Sequence, residues 1–293
     1  MEDESSPVNL PRLKTLDMVA YTNPFVNVFK LINGCPVLES LSLEITMCKY
    51  KKDFMFIIPT LKRLKLSFIK HAPVLNKIVL NVPNLEYLFV HGVLSSSFVM
   101  EDVSSSLVEA SISCTQMRNH HLWFDLLKGI NGVQSLSAKN VISNIDFKIP
   151  LSSPLLVFPN MKHLELKDVC QYGQISHFLE RCPGLKHLRI GQVVEPFLKK
   201  RTRSSWIEPK FVPACMLANL TSIKFSNCKG QKPEIQFLEY MLGKAEALKT
   251  VIITWENLCI EKEMNLCRHL LKVPRASLYC ENHFLENHSL HLL

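Results

Sequence analysis

The chain has 293 residues, 47% hydrophobic and 20% charged, so it is long enough for a sizeable core and too apolar to be disordered. Its net charge of +8 favours a nucleic-acid or acidic partner only where the charge is clustered. Ten cysteines include no C-x-x-C pair, and the start Met-Glu-Asp-Glu-Ser-Ser-Pro is too acidic for a secretory leader, so we expect reduced thiols, mostly in the core, and a cytoplasmic or nuclear location.

Residues 1–9 are a polar N-terminal segment, and from residue 10 one phrase returns along the chain: Leu-x-x-Leu-x-apolar, most often with a proline two residues ahead. It begins as Pro11-Arg-Leu13-Lys-Thr-Leu16-Asp-Met18 and Pro36-Val-Leu38-Glu-Ser-Leu41-Ser-Leu43. Next come Pro59-Thr-Leu61-Lys-Arg-Leu64-Lys-Leu66 and Pro83-Asn-Leu85-Glu-Tyr-Leu88-Phe-Val90. Weaker copies start at Leu107 and Val133, and strong ones return at Pro159-Asn-Met161-Lys-His-Leu164-Glu-Leu166 and Pro183-Gly-Leu185-Lys-His-Leu188-Arg-Ile190. The last two are Leu220-Thr-Ser-Ile223-Lys-Phe225 and Leu248-Lys-Thr-Val251-Ile-Ile253. Counted from the first apolar position of each copy, the steps are 25, 23, 24, 22, 26, 28, 24, 35 and 28 residues. Leucine-rich repeats run roughly 20–29 residues.

The last two apolar residues of a phrase are two apart and leave the same face of a short strand, while the first sits at the entry turn. The proline suits a strand entrance, where no ladder donor is needed. One such unit cannot bury its own apolar face, but stacked units share a continuous core. The pattern predicts an α/β leucine-rich-repeat solenoid, with a curved parallel sheet on the concave side and helices and loops on the convex side. A doubly wound α/β domain also alternates strand and helix, yet its helices need longer units and no glycine-rich turn follows any strand here.

Residues between the buried strand positions face outward on the concave wall. Those suited to bind a partner are Arg63, Lys65, Tyr87, Phe89, His163, Glu165, His187 and Arg189. Tyr, Phe and Arg are favoured interface anchors, and here two aromatics stand beside two cations. The alternative is an ordinary solvated strand surface with Phe89 covered by a neighbouring loop.

Residues 199–205 form a basic linker, in which Lys199, Lys200, Arg201 and Arg203 are a candidate nuclear-import signal or simply a solvated charge run. Elsewhere the basic residues are scattered among 26 acids, so nucleic-acid binding ranks low. The longest apolar runs, such as Phe54 to Ile58, fall far below the roughly 20 residues that span a bilayer, and no membrane partner is expected. The chain shows no G-x-S-x-G, H-E-x-x-H or phosphate-binding glycine loop, so we assign no catalytic residue, no cofactor and no metal, and read it as a non-enzyme. The spacing of Cys280, His283, His288 and His291 is read as a trailing tail rather than a zinc site.

The phrases GCPVLESLSL, IIPTLKRLKL and NVPNLEYLFV resemble the repeats of plant F-box/leucine-rich-repeat/FBD proteins. Trp206-Ile-Glu-Pro209, Val212-Pro-Ala-Cys215, Phe237-Leu-Glu-Tyr-Met-Leu242 and Leu270-Leu-Lys-Val-Pro-Arg-Ala-Ser277 are similar to the FBD module of that family. The resemblance implies leucine-rich repeats over 10–198, an FBD-like domain over 206–284 that continues the stack, and a tail over 285–293. It also implies a substrate-recognition part of a cullin-RING ubiquitin ligase, with a Skp-type adaptor and cullin as further partners. Residues 1–9 cannot encode the helical F-box that docks the adaptor, so the chain reads as a shortened form. A second reading is a regulator without an F-box that binds the same protein but does not deliver it. A third, from another class, is a basic nucleic-acid-associated factor.

Overall fold

Each copy of the leucine phrase folds as a turn followed by a strand. In the computed structural model the described residues are 8–20, 25–47, 53–71, 77–94, 97–101, 106–117, 120–139, 156–169, 172–191 and 206–285. They fall into two units, Met1–Val133 and Gln134–Leu293.

The first unit contains β1 (Thr15–Ala20), α1 (Phe25–Asn33), β2 (Ser40–Met47), β3 (Phe54–Ile57), β4 (Arg63–His71) and β5 (Lys77–Asn81). It continues with β6 (Tyr87–Leu94), β7 (Ser97–Glu101), β8 (Glu109–Met117) and α2 (His120–Gly129). Strands β1, β2, β4, β6 and β8 pair in that order and all in parallel. Their inward side chains make the core: Leu38, Leu41, Leu43, Leu61, Leu64, Leu66, Leu85, Leu88 and Val90 are each at most 1% exposed. Fully burying a side chain of this kind contributes roughly 1.5–3 kcal/mol relative to leaving it in water.

The prolines sit one step earlier than the strand entrance. The N–H groups of Leu13, Leu38, Leu61 and Leu85 donate to the carbonyls of Leu10, Cys35, Ile58 and Val82, three residues back. Pro11, Pro36, Pro59 and Pro83 therefore occupy the second position of a turn, where the ring pre-sets φ and no donor is required. The turns are tied in series by side chains. Thr60 Oγ1 donates to the Leu38 carbonyl (2.8 Å), Asn84 Nδ2 to that of Pro59 (2.7 Å), and Ser106 Oγ to that of Pro83 (2.8 Å).

On the back the unit carries helices and, in addition, a second sheet that the sequence reading did not foresee: strands β3, β5 and β7 pair in parallel. These strands lie in the steps of 23, 24 and 22 residues, the shorter end of the range. Length alone does not set the choice of strand, because another step of 24 residues, Met161 to Leu185, carries a helix over Tyr172–Leu179. Aromatic and β-branched residues such as Phe54, Phe56, Ile78 and Phe98 favour that choice. Helix α1 flanks β3 through Phe29, whose ring lies 5.1 Å from Phe54 and 6.0 Å from Phe56. Helix α2 packs beside β7, and Gly129 gives Met100 its room, because a Cβ there would lie 2.3 Å from the Met100 sulfur. Flanking helices protect strand edges that would otherwise present unpaired backbone. In β6 the register shifts after Gly92, whose φ of +109° brings it within reach of the Phe68 carbonyl.

The second unit contains β9 (Ser135–Lys139), β10 (His163–Lys167), α3 (Tyr172–Leu179), β11 (His187–Gly191), α4 (Ala214–Ala218) and β12 (Ser222–Cys228). It ends with α5 (Lys232–Lys244), β13 (Thr250–Trp255), α6 (Ile260–Lys272) and β14 (Glu281–Leu285). Strands β9 to β14 pair in chain order and in parallel. The turn motif recurs: Met161 and Leu185 donate to Phe158 and Cys182, and Asn219 Nδ2 donates to the Pro183 carbonyl (2.9 Å). Leu164, Leu166, Leu188, Ile190, Ile223, Phe225, Val251 and Ile253 are buried beneath the sheet. Both units are thus α/β stacks of leucine-rich repeats. Of the described cysteines, Cys35, Cys182, Cys215 and Cys228 are buried thiols, Cys259 is exposed, and Cys267 and Cys280 are half-buried.

Candidate protein-interaction surface

The sheet pleat decides which side chains are available. On the first unit, β4 and β6 place Arg63 opposite Tyr87 and Lys65 opposite Phe89. The Arg63 guanidinium lies over the Tyr87 ring, 4.5 Å from its centre. Such a contact contributes about 0.5–1 kcal/mol at an exposed site and holds both groups in place before any partner arrives. Burial, with the Glu109 carboxylate nearby, pushes the Tyr87 phenol above its ordinary range. Phe89 is half-buried and stacks on His91 of the same strand (6.1 Å, 16°). Arg63 and Lys65 are exposed. In the row just ahead of β1, β2 and β4, Glu39 accepts ion pairs from Lys14 (2.8 Å) and Lys62 (3.1 Å), which hold its carboxyl below the usual range.

On the second unit, β10 and β11 place His163 opposite His187 and Glu165 opposite Arg189. The two imidazoles stack face to face (4.7 Å, 8°). His163 is held below the ordinary histidine range by burial first, then by His187, Arg189, Lys162 and Lys186. Glu165 accepts from Ser137 Oγ (2.7 Å) and pairs with Lys167 Nζ (3.0 Å). Burial works against its ionisation, but these partners and Arg189 hold the carboxyl below the usual range.

The eight residues singled out from sequence therefore form two clusters, one per unit: Arg63, Lys65, Tyr87 and Phe89 on β4 and β6, and His163, Glu165, His187 and Arg189 on β10 and β11. Lys199, Lys200, Arg201 and Arg203 lie outside the described residues, as do His288 and His291. Sequence reading missed the position immediately before the strands, held by Lys162, Lys186 and Lys249 ahead of β10, β11 and β13. Reading that column down the aligned phrases, rather than only the outward strand positions, would have found it.

A buried polar cluster lies behind the second sheet. Glu234, 2% exposed, accepts from the Tyr172 hydroxyl (3.1 Å), the Gln231 N–H (2.8 Å) and the Cys228 thiol (3.7 Å). Burial raises its carboxyl above the ordinary value, and the hydrogen bonds only partly offset that. It is an anchor for the start of α5 rather than an accessible acid. Among the described residues no group of three or more His, Cys, Asp or Glu is placed to hold a metal ion, and no helix is long and apolar enough to cross a membrane.

Comparison with known proteins follows the same line. The FBD family matches residues 208–253, which run from just before α4 to within β13. An F-box/FBD/LRR-repeat protein of Arabidopsis thaliana is 26% identical over 281 residues, covering 94% of this chain and 64% of its own length. The resemblance read from the sequence holds. A second protein of that name is 27% identical over 295 residues (94% and 62%), and a third is 28% identical over 291 residues (97% and 64%). An FBD-associated F-box protein of the same plant is 25% identical over 293 residues. The chain spans just under two thirds of the length of the curated relatives it matches. Their names denote interaction modules rather than an enzyme activity.

Proposed function

We propose that this chain is a non-catalytic recognition module, acting in the cytoplasm or nucleus, that binds another protein through the outward face of its repeat sheets. In this reading it does what the substrate-binding part of a cullin-RING ubiquitin-ligase receptor does, and its relatives with F-box names support that assignment. The observation that carries it is the Arg63–Tyr87 pair beside Lys65 and Phe89, an aromatic and cationic cluster held in one geometry by sheet register and a cation–π contact. Aromatic rings on a sheet face pay little rotamer entropy when they bind, which suits them as anchors.

The test is affinity purification of this chain from its native cells beside an Arg63→Glu, Tyr87→Ala, Phe89→Ala variant, followed by mass spectrometry. Recovery of an adaptor and cullin with a partner that the variant loses supports the receptor reading. Loss of the same partner with no ligase subunit recovered favours a regulator that does not deliver it. Equal recovery by the variant removes the first unit's front from the binding site.

A further inference from the structure

The two sheet faces differ in charge balance, and the difference points to a class of partner. On the first unit, Lys14, Lys62, Arg63 and Lys65 are matched by Asp17, Glu39, Glu44, Glu86 and Glu109, and Glu39 is paired to two of the lysines. On the second unit, Lys162, Lys186 and Lys249 head strands β10, β11 and β13, while Arg189 and Lys224 are register partners on β11 and β12. None of these five cations forms a close ion pair with a carboxylate among the described residues, although Arg189 faces Glu165 across the register and acts on it from there. Of the acids on the same face, Glu165 is engaged by Ser137 and Lys167, while Glu281 at the far strand lies 3.5 Å from His283 and stays largely exposed.

Like charges set directly opposite on neighbouring strands are destabilising, so the fold gains nothing from Arg189 beside Lys224. An anionic partner relieves that repulsion. We propose that the front of the second unit docks an acidic polypeptide segment, rich in Asp and Glu. The inference rests on the protein-recognition reading above and adds the chemistry of what is recognised.

The geometry suits a peptide. Neighbouring strands stand about 4.8 Å apart and alternate residues about 6.6 Å apart along a strand, a grid that matches carboxylates on an extended chain. Ser135, Ser222 and Thr250 add hydroxyls in the row of His163 and His187. A nucleic acid would instead ask for open aromatic platforms. The rings here, His163 and His187, are stacked on one another.

The test is fluorescence anisotropy with the full chain and three dye-labelled probes: a peptide alternating Glu and Ser, its Gln-for-Glu counterpart, and a single-stranded oligonucleotide of equal charge. The variant is Lys186→Ser, Arg189→Ser, Lys224→Ser, with Lys162→Gln, Lys186→Gln as a second in case the first fails to fold. The acidic peptide is expected to bind, to weaken with salt, and to lose roughly tenfold or more in affinity with either variant, while the Gln peptide does not bind. No binding of the acidic peptide, or equal binding by the variants, overturns the proposal. Tighter binding of the oligonucleotide overturns it in favour of a nucleic-acid surface. The Arg63→Glu, Tyr87→Ala, Phe89→Ala variant separates the two readings. If it loses a cellular partner while the peptide fails to bind wild type, the recognition function stands and this inference falls.

Discussion

Replacing Glu234 tests whether a buried carboxyl holds the second unit together as an acid or as an anion. Its oxygens satisfy the Gln231 N–H at the start of α5 and the Tyr172 hydroxyl from α3, in a site 2% exposed to solvent. Glu234→Ala removes the acceptor shared by the Tyr172 hydroxyl and the part-buried Gln231 N–H. At about 0.5–1.5 kcal/mol net for each hydrogen bond, the loss is roughly 1–3 kcal/mol, or about 2–12 °C in melting temperature for a unit of this size. Glu234→Gln keeps the shape and an acceptor oxygen for Gln231. The pH dependence follows from the raised carboxyl, whose ordinary value is 4.5. A group raised in the fold contributes stability that is complete below its unfolded pKa and is lost as pH rises through the folded one. The stability difference between the Gln variant and wild type should therefore shift in the variant's favour from acid toward neutral pH, so that the variant matches or exceeds wild type at neutral pH. Chemical denaturation followed by far-UV circular dichroism across that range is the assay. A Gln variant as weak as the Ala variant, or wild-type stability that rises toward neutral pH through this site, would refute the reasoning and mean that Glu234 stabilises the fold as an anion.

Three more outcomes are expected. Gly92→Ala places a Cβ 1.9 Å from the Phe68 carbonyl oxygen at a φ of +109°, and should cost more than about 2 kcal/mol in urea unfolding; a change within about 0.5 kcal/mol would show that β6 relaxes freely there. His163 sits below its ordinary 6.5 in the fold, so it takes up its proton more readily when unfolded. Stability should then fall as pH drops through 6.5 toward the folded value, and His163→Asn should lessen that loss in a melt series. Alkylation mapped by mass spectrometry should label exposed Cys259 first among the described cysteines. Cys182 and Cys228, pushed well up by burial, and Cys215, pushed up to about 12, should react only on unfolding.

The front of each sheet was legible because its period is short and its alternation strict. Leu64 and Leu66 had to turn inward, so Arg63 and Lys65 had to turn out, and the step between phrases aligned them with Tyr87 and Phe89. The back was less legible. Phe54-Met-Phe-Ile57 and Lys77-Ile-Val-Leu-Asn81 are short apolar runs whose periodicity does not separate helix from strand; the neighbouring repeats settle the choice by pairing. Glu234 was invisible as a core residue because its burial depends on Tyr172, 62 residues away. Lys186 and Lys224 were ordinary residues in isolation. Their meaning lies in which cations lack a counter-charge, a property of the assembled face rather than of the phrase.

The side-chain ties between turns give each stack a direction. Thr60 reaches back to Leu38, Asn84 to Pro59, Ser106 to Pro83 and Asn219 to Pro183, so these four repeats each bring a donor to the turn before them. The same position holds Val37, Gly132, Gly184 and Ala247 in other repeats, which carry no side-chain donor. Sequence identity at a tied joint is unimportant, since Thr, Asn and Ser all serve. A tied repeat copied or removed as a unit carries its own fastening with it and leaves the next one's acceptor in place. The number of such repeats can then drift over evolution while their joints stay satisfied, and the outward face lengthens or shortens by one row of side chains at a time.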